Sequence, residues 1–254
     1  MKNRTRLLTT VVVASLALGG AAAANASQRD DDHHRKQTST LARDFEAVTR
    51  DTVWQLTGKQ RLSFPTFHTE GIAFSRDHIF LSSVEILEPT VKYPAPQGGY
   101  DRTPGKGVGH LFVMDRDGTL QKDIVLGEGD AYHPGGIDFD GTNVWVPVAE
   151  YRPNSRAIVY RVDARSLAVH RQFEVRDHFG GVVLDKTTGH LIGNTWGSRR
   201  FAEWDLRGRQ LRTWQNPSFF VDYQDCQYVP AGAMMCAGVT NLPQTPTAGD
   251  TVAS

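Results

Sequence analysis

A motif that occurs four times along the chain constrains its fold more than any other feature. In the second copy, Tyr132–Phe139, a histidine precedes two glycines and a short apolar run, and an Asp-Gly turn follows. The copies are Phe67–Phe74, Tyr132–Phe139, Asp177–Leu184 and the more divergent Val221–Tyr228. Their anchor residues are His68, His133, His178 and Asp222, at intervals of 65, 45 and 44 residues. A fixed period of this length is typical of repeated supersecondary units.

Each motif is followed by further short apolar runs that are separated by Asp, Asn and Gly turns. Second runs cover residues 79–85, 144–150, 191–196 and 234–240; third runs cover 110–115, 157–163 and 200–205; fourth runs cover 120–126, 167–175 and 211–215. Short runs split by such turns indicate antiparallel hairpin strands. Four of them every ~45 residues predict an all-β fold, a β-propeller of four-stranded antiparallel blades. The sequence supplies three full blades, half of a fourth and one closing strand, so either the ring is small and irregular or the sequence is cut short and the ring is incomplete.

The regions outside the repeats have their own signatures. Residues 1–26 carry three cations, an apolar stretch and an Ala-Asn-Ala end, which predicts a secretory signal peptide and a secreted protein. Residues 27–38 contain no apolar side chain and predict a disordered linker. A short helix is expected over residues 39–52, propeller blades over 53–241 and an unstructured tail over 242–254.

Two segments near the first repeat have specific expected roles. Residues Trp54–Phe64 resemble an outer strand that the N-terminal part donates to the last blade. Residues 86–109 contain four prolines and five glycines and show no periodicity, so an ordered loop or lid is expected there. Because this loop joins the second and third strands of its blade, it should lie on the face that carries the histidines and cover part of the channel.

The motifs resemble a family of secreted bacterial proteins of unknown function with a predicted β-propeller fold. The resemblance covers roughly residues 45–241 and rests on matched motifs in order and spacing, among them Phe80–Pro89, Gly99–Gly105, His133–Gly141 and Val148–Arg156. Family members continue through further strands after the position of Asn241, so the resemblance implies a C-terminally truncated member. It implies a fold and a compartment and supplies no catalytic residues.

The four anchor residues begin the innermost strands, so they should surround one axis at the mouth of the channel. His68, His133, His178 and Asp222 together offer a ligand set for one divalent metal ion, because imidazole and carboxylate groups suit Zn, Fe, Cu or Mn. A histidine in each blade can equally bond the backbone of a neighbouring strand, and that structural alternative stays open.

The ends of the second strands and the loops after them supply candidate ligand-binding residues on the same face. These are Glu85, Glu150, Trp196, Arg152 and Arg199. Glu85 and Glu150 with Asn194 would suit a hard cation such as Ca²⁺. The loop arginines would suit an anionic ligand, although exposed arginines are usually just solvated.

Cys226 and Cys236 are the only cysteines, and the register of the last hairpin opposes them. An intra-hairpin disulfide is therefore predicted for a chain sent to an oxidising compartment. Two buried free thiols are the alternative.

Composition excludes some classes of function. Lys and Arg number 28, as do Asp and Glu, so the formal net charge is 0, and loss of residues 1–26 removes three cations and no anions, giving −3. No basic footprint for nucleic acid is present, and no membrane span is expected after signal cleavage. Two functions remain: a metal-dependent hydrolase or lactonase, and a non-catalytic extracellular module that binds a sugar, a peptide or an envelope component. The metal content of the purified protein would distinguish these two functions.

Overall fold

The computed structural model describes residues 42–49, 51–218, 220–229 and 233–240 of the 254-residue chain. The chain divides into two units, Met1–Glu46 and Ala47–Ser254. A helical stretch covers residues 42–46 and ends there, short of the predicted boundary at residue 52. The predicted signal peptide (1–26), linker (27–38) and tail (242–254) lie outside the described residues. None of the described helices is long and apolar enough to cross a membrane.

The first repeat forms an antiparallel sheet of order β1-β2-β5-β6, and a hairpin, β3–β4, is inserted between its second and third strands. The strands are β1 (His68–Phe74), β2 (Ile79–Glu88), β3 (Lys92–Gln97), β4 (Tyr100–Arg102), β5 (Lys106–Met114) and β6 (Leu120–Leu126).

The second and third repeats form sheets of the same sequential order, and the fourth contributes a hairpin. In the second sheet the innermost position is shared by two short strands that both pair with β9. The strands are β7 (Ala131–Pro134), β8 (Asp138–Phe139), β9 (Asn143–Glu150), β10 (Ala157–Asp163), β11 (Val169–Val175), β12 (Phe179–Asp185), β13 (His190–Thr195), β14 (Arg200–Trp204), β15 (Gln210–Gln215), β16 (Asp222–Val229) and β17 (Ala233–Val239). The all-β class and the antiparallel order within each repeat are confirmed.

Alternation along β9 holds the sheets together. Val144, Val146 and Val148 belong to the core cluster shared with the first sheet. Trp145 and Ala149, which point the other way, belong to the cluster shared with the third sheet. Successive side chains of a strand face opposite sides, so the middle sheet is buried on both faces.

The expected ordered loop over residues 86–109 contains hairpin β3–β4. Its base is closed by the bond that the Thr103 amide donates to the Val91 carbonyl at 2.9 Å. The prediction of an outer strand over Trp54–Phe64 is wrong, because residues 53–64 form no strand. Leu62 and Phe64 pack instead on a small cluster around Phe112 of the first sheet.

The predicted disulfide is confirmed. Cys226 and Cys236 face each other in the register of β16 and β17, with Cα atoms 4.1 Å apart and the sulfurs bonded. The bond closes a ten-residue separation. It therefore fixes the hairpin that carries Asp222 and Asp225 to the inner side of the fold.

Candidate functional site

The innermost strands bring all four anchor residues to one cavity. His68 starts β1, His133 lies in β7, His178 directly precedes β12 and Asp222 starts β16. Each of them lines a cavity of about 210 Å³. Thr90 and Arg102, from the segment 86–109, line the same cavity, so this segment does lie on the histidine-bearing face.

Three possible metal ligands in the cavity lie close together, and the central one is Glu70, a carboxylate that the repeat alignment did not select. Oε1 of Glu70 lies 2.9 Å from Nε2 of His68 and 3.2 Å from Nε2 of His133. Single ligand atoms of these three residues all lie within 4.8 Å of one another. The Glu70 and His133 side chains are buried, whereas that of His68 is 60% exposed. The cluster is thus open to solvent on one side.

A β-bulge explains how Glu70 comes to face the cavity. The pairing of β1 with β2 shifts between Thr69 and Gly71, which leaves Glu70 as the extra residue. The same shift occurs at Gly180 of β12 and Gln224 of β16, again two positions after the anchor. Bulges re-aim side chains and are frequent beside active sites. Glu70, Gly180 and Gln224 all line the cavity, so the same structural position is turned inward in three of the four repeats.

His133 is buried and incompletely satisfied. Neither ring nitrogen has a hydrogen-bond partner among the described residues, and the 3.2 Å approach of Glu70 lacks hydrogen-bond geometry. Its ring stacks on Tyr151, with centroids 4.1 Å apart. An unpartnered buried imidazole costs about 1–3 kcal/mol. Its two ring nitrogens are therefore left to a partner outside the described residues.

His178 presents a lone pair to the cavity. Its Nδ1 lies 2.8 Å from the carbonyl oxygen of Glu150. A carbonyl only accepts, so Nδ1 carries the proton and Nε2 is the free acceptor. Burial, with a smaller contribution from the neighbouring His133, lowers the pKa of His178 to about 3.

Two aromatic rings and one guanidinium complete the cavity wall. Trp196 meets His178 edge-on at 4.8 Å and Tyr151 at 5.7 Å. The guanidinium carbon of Arg102 lies 4.9 Å from the Trp196 ring centroid, and Arg102 also binds the Asp101 carboxylate through two hydrogen bonds. The hairpin β3–β4 is thereby fastened to the third repeat.

The remaining residues predicted to contact a ligand divide into two groups. Trp196 lines the cavity and Arg199 lines an adjoining groove. Glu85, Glu150 and Arg152 are engaged by neighbouring side chains instead. Glu85 lies 3.9 Å from His110. The carboxylate of Glu150 binds Arg152 at 2.6 Å and Arg156 at 3.1 Å.

Arg152 has a second partner, since its guanidinium carbon lies 3.6 Å from the ring centroid of Tyr100 in β4. Of the expected calcium ligands, Asn194 lines the cavity, whereas Glu85 and Glu150 do not, and the Glu150 carboxylate binds arginines. Asn194 does line the cavity, and its amide donates to the Tyr223 carbonyl at 2.9 Å. Its role in the described structure is to tie β13 to β16.

A larger groove of about 720 Å³ adjoins the cavity on the side of the third repeat. Thr195, Trp196, Gly197 and Asp222 line both spaces. The cavity and the groove are thus parts of one continuous depression.

A family model matches residues 36–252, which is most of the chain. The chain belongs to DUF6454, a family of unknown function. No curated protein matches it.

Solved structures that resemble this DUF6454 member share little sequence with it. A gluconolactonase from Xanthomonas campestris has 17% identity and a TM-score of 0.46, over 71% of this chain and 57% of its own. A virginiamycin B lyase from Staphylococcus aureus has 12% identity and a TM-score of 0.38, over 70% and 66%. The β-propeller domain of a protease from Pyrococcus furiosus has 10% identity and a TM-score of 0.36, over 61% and 44%. The chain spans less than two thirds of each of these proteins.

Proposed function

We propose that this DUF6454 member is a secreted β-propeller hydrolase that uses one divalent metal ion to open small esters or lactones. The observation that carries the proposal is the cluster in which Glu70 Oε1 lies 2.9 Å from His68 Nε2 and 3.2 Å from His133 Nε2. The substrate would be a small extracellular molecule. The anchors His178 and Asp222 would contact substrate or water instead of completing the metal ligand set.

The donor set fits a transition-metal ion in chemistry and spacing. Four tetrahedral ligands about 2.0–2.1 Å from zinc lie roughly 3.3 Å apart, close to the two separations around Glu70 Oε1. Two imidazoles and one carboxylate leave a coordination position open, as catalytic zinc sites do. A metal at Nε2 of His133 would also give this buried nitrogen the partner that it lacks within the described chain.

The surrounding residues suit ester or lactone hydrolysis. An ion held by His68, Glu70 and His133 would polarise the substrate carbonyl as a Lewis acid. His178 Nε2 can accept a proton from a water molecule while the oxygen of that water bonds to the carbonyl carbon. The carbon–oxygen bond of the ester then breaks, and the same proton passes to the leaving alkoxide. One water and one lactone give one hydroxy acid, with no other reactant.

Metal binding is the first test. We expect the purified chain to hold about one divalent transition-metal ion, measured by elemental analysis after dialysis. Glu70→Gln keeps the shape of the side chain and removes the charge, so it should weaken Zn²⁺ binding by more than about tenfold in calorimetric titration. His170→Ala, which removes an exposed histidine of β11, is the matched control and should bind as the parent does. A folded parent that binds no Zn²⁺, or equal binding by Glu70→Gln, contradicts the proposed site.

Hydrolysis is the second test, with D-glucono-δ-lactone and p-nitrophenyl acetate as probes. His178→Gln should lower kcat by up to about 100-fold, the lower end of general-base assistance, because a base whose pKa is lowered to about 3 is weak, while Zn²⁺ affinity stays within about twofold. Acid release and p-nitrophenol release report the rates. Equal kcat values for the variant and the parent would remove His178 from the mechanism.

A non-catalytic binding module is the second candidate, favoured by the aromatic wall of Tyr151 and Trp196 beside the cavity. Such a wall holds ligands by stacking without reacting with them. A protein that binds Zn²⁺ through Glu70 but hydrolyses neither probe would support this candidate over the hydrolase.

A further inference from the structure

The groove beside the metal cavity has the chemistry of a second binding region. Its volume of about 720 Å³ falls within the range of ligand pockets, ~300–1,000 Å³. It runs from Trp196 and Asp222, which it shares with the cavity, to Phe220 and Thr240. A molecule longer than one ring could therefore lie in the groove with one end at the cavity.

Opposite charges meet within the described lining of the groove. Asp177 and Arg200 form an ion pair with each other. The positive charge of Arg199 acts on the carboxyl of Asp222 and opposes the rise in its pKa that burial causes. Because each cation is matched by an anion, the groove favours an uncharged ligand over a strongly anionic or cationic one.

The other lining residues combine aromatic surface with neutral hydrogen-bonding groups. Trp196 and Phe220 supply the aromatic surface, and Phe220 is 63% exposed. Asn154 and Gln215 add amides that both donate and accept. Apolar ring faces bordered by hydroxyl groups are complementary to such a surface.

We propose that this groove binds an uncharged oligosaccharide, whose sugar rings stack on Trp196 and Phe220 and whose hydroxyl groups bond Asn154 and Gln215. The proposal rests on the proposed function only in placing the terminal sugar at the metal cavity. Binding along the groove needs no metal.

The test is affinity electrophoresis of EDTA-treated protein in gels that contain dextran, laminarin, xylan or galactomannan. At least one of these neutral polysaccharides should retard the parent chain. Phe220→Ala should raise the Kd by about tenfold, equal to ~1.4 kcal/mol, and Trp196→Ala should abolish retardation. Phe74→Ala is the matched control, because Phe74 is 50% exposed on β1 and lies outside the groove lining.

Several outcomes would overturn the proposal. They are retardation by none of the four polysaccharides, unchanged binding by Phe220→Ala, and retardation by gelatin alone, which would indicate a peptide ligand. Retardation only by polygalacturonate would indicate an anionic ligand instead. Since metal is removed throughout, failure of the metal site leaves these results unaffected, and Phe220→Ala keeps the test valid if Trp196→Ala does not fold.

Discussion

Gly135→Ala is expected to destabilise the chain more than any other single methyl addition in the second motif. A Cβ atom at this position would lie 2.0 Å from the carbonyl oxygen of Gly180 and 2.5 Å from its carbon. That oxygen accepts the amide of Gly136 at 2.8 Å, a bond between the inner strands of two repeats. Because the obstacle is backbone, relief requires the strands to separate.

We expect Gly135→Ala to lower the free energy of unfolding by about 3 kcal/mol or more, the upper range for overpacking. The thermal midpoint of a chain of this size should then fall by roughly 6–12 °C. Gly58→Ala is the matched control, because nothing lies within 4 Å of its Cβ position and its backbone is not left-handed. Equal midpoints for the two variants in a calorimetric scan would show that the inner strands are not held at this distance.

The repeat motif predicted the sheets because its information is local. Short apolar runs are separated by Asp and Gly turns, so pairing order follows from the sequence of short turns. The register of Cys226 opposite Cys236 was predictable for the same reason, since only three residues separate the two strands in sequence.

Two segments show where local sequence information ends. Prolines at positions 94 and 96 mask the alternation of β3, and the turn at Gly98 and Gly99 depends on left-handed backbone that only the folded chain reveals. Residues 53–64 have enough apolar side chains for a strand, but their sequence does not show which neighbour they meet. Phe64 packs on Phe112 of the first sheet, with ring centroids 5.0 Å apart.

The site was predicted in part. The spacing of the repeat locates the anchor histidines, whereas the backbone geometry of a bulge decides that Glu70 faces the cavity. His68 and His133 follow from the repeat. Glu70 faces the cavity through a bulge, and a bulge adds one residue without any mark in a single repeat. The signal was in the alignment: two positions after each anchor the residues are Glu70, Gly135, Gly180 and Gln224, and one of the four is a carboxylate.

The partners of Glu150 and Arg152 were not predictable, since a charged residue at a strand end carries no record of which neighbour it meets. Both are buried, and each is satisfied by the other. Their side chains pair with each other, and the Glu150 carbonyl accepts a hydrogen bond from His178 Nδ1. Their contribution to the site is thus positional.

Two buried carboxylates at the meeting point of the inner strands should make the chain less stable as pH rises. Asp225 accepts the amides of Ile72 and Ile137 through different oxygens, each at 3.0 Å. Asp138 accepts those of Leu184 at 3.2 Å and Tyr228 at 3.4 Å. Together they connect all four repeats.

Burial raises the pKa of Asp225 to about 7, and the nearby Asp138 adds to the rise. Burial likewise raises the pKa of Asp138 to about 6. Unfolded aspartate titrates near ~3.9, so between about pH 4 and 7 the folded chain binds more protons than the unfolded chain. Stability from these groups is therefore complete below about pH 4 and is lost as the pH rises through 6 and 7.

The expected result is a fall of about 3 kcal/mol in unfolding free energy from pH 5 to pH 8 that is attributable to Asp225, at ~1.4 kcal/mol per pH unit. Asp225→Asn keeps a neutral side chain, so its urea-unfolding curves should lack this part of the pH dependence even though the variant is less stable overall. Asp138→Asn provides the same comparison with a smaller difference. Asp163→Asn is the control, because turn hydrogen bonds from Ser166 lower the pKa of this exposed group and confine its effect to acid. A parent chain and an Asp225→Asn variant with the same pH dependence would show that Asp225 is already ionised at pH 5, with its two amide bonds outweighing the cost of burial.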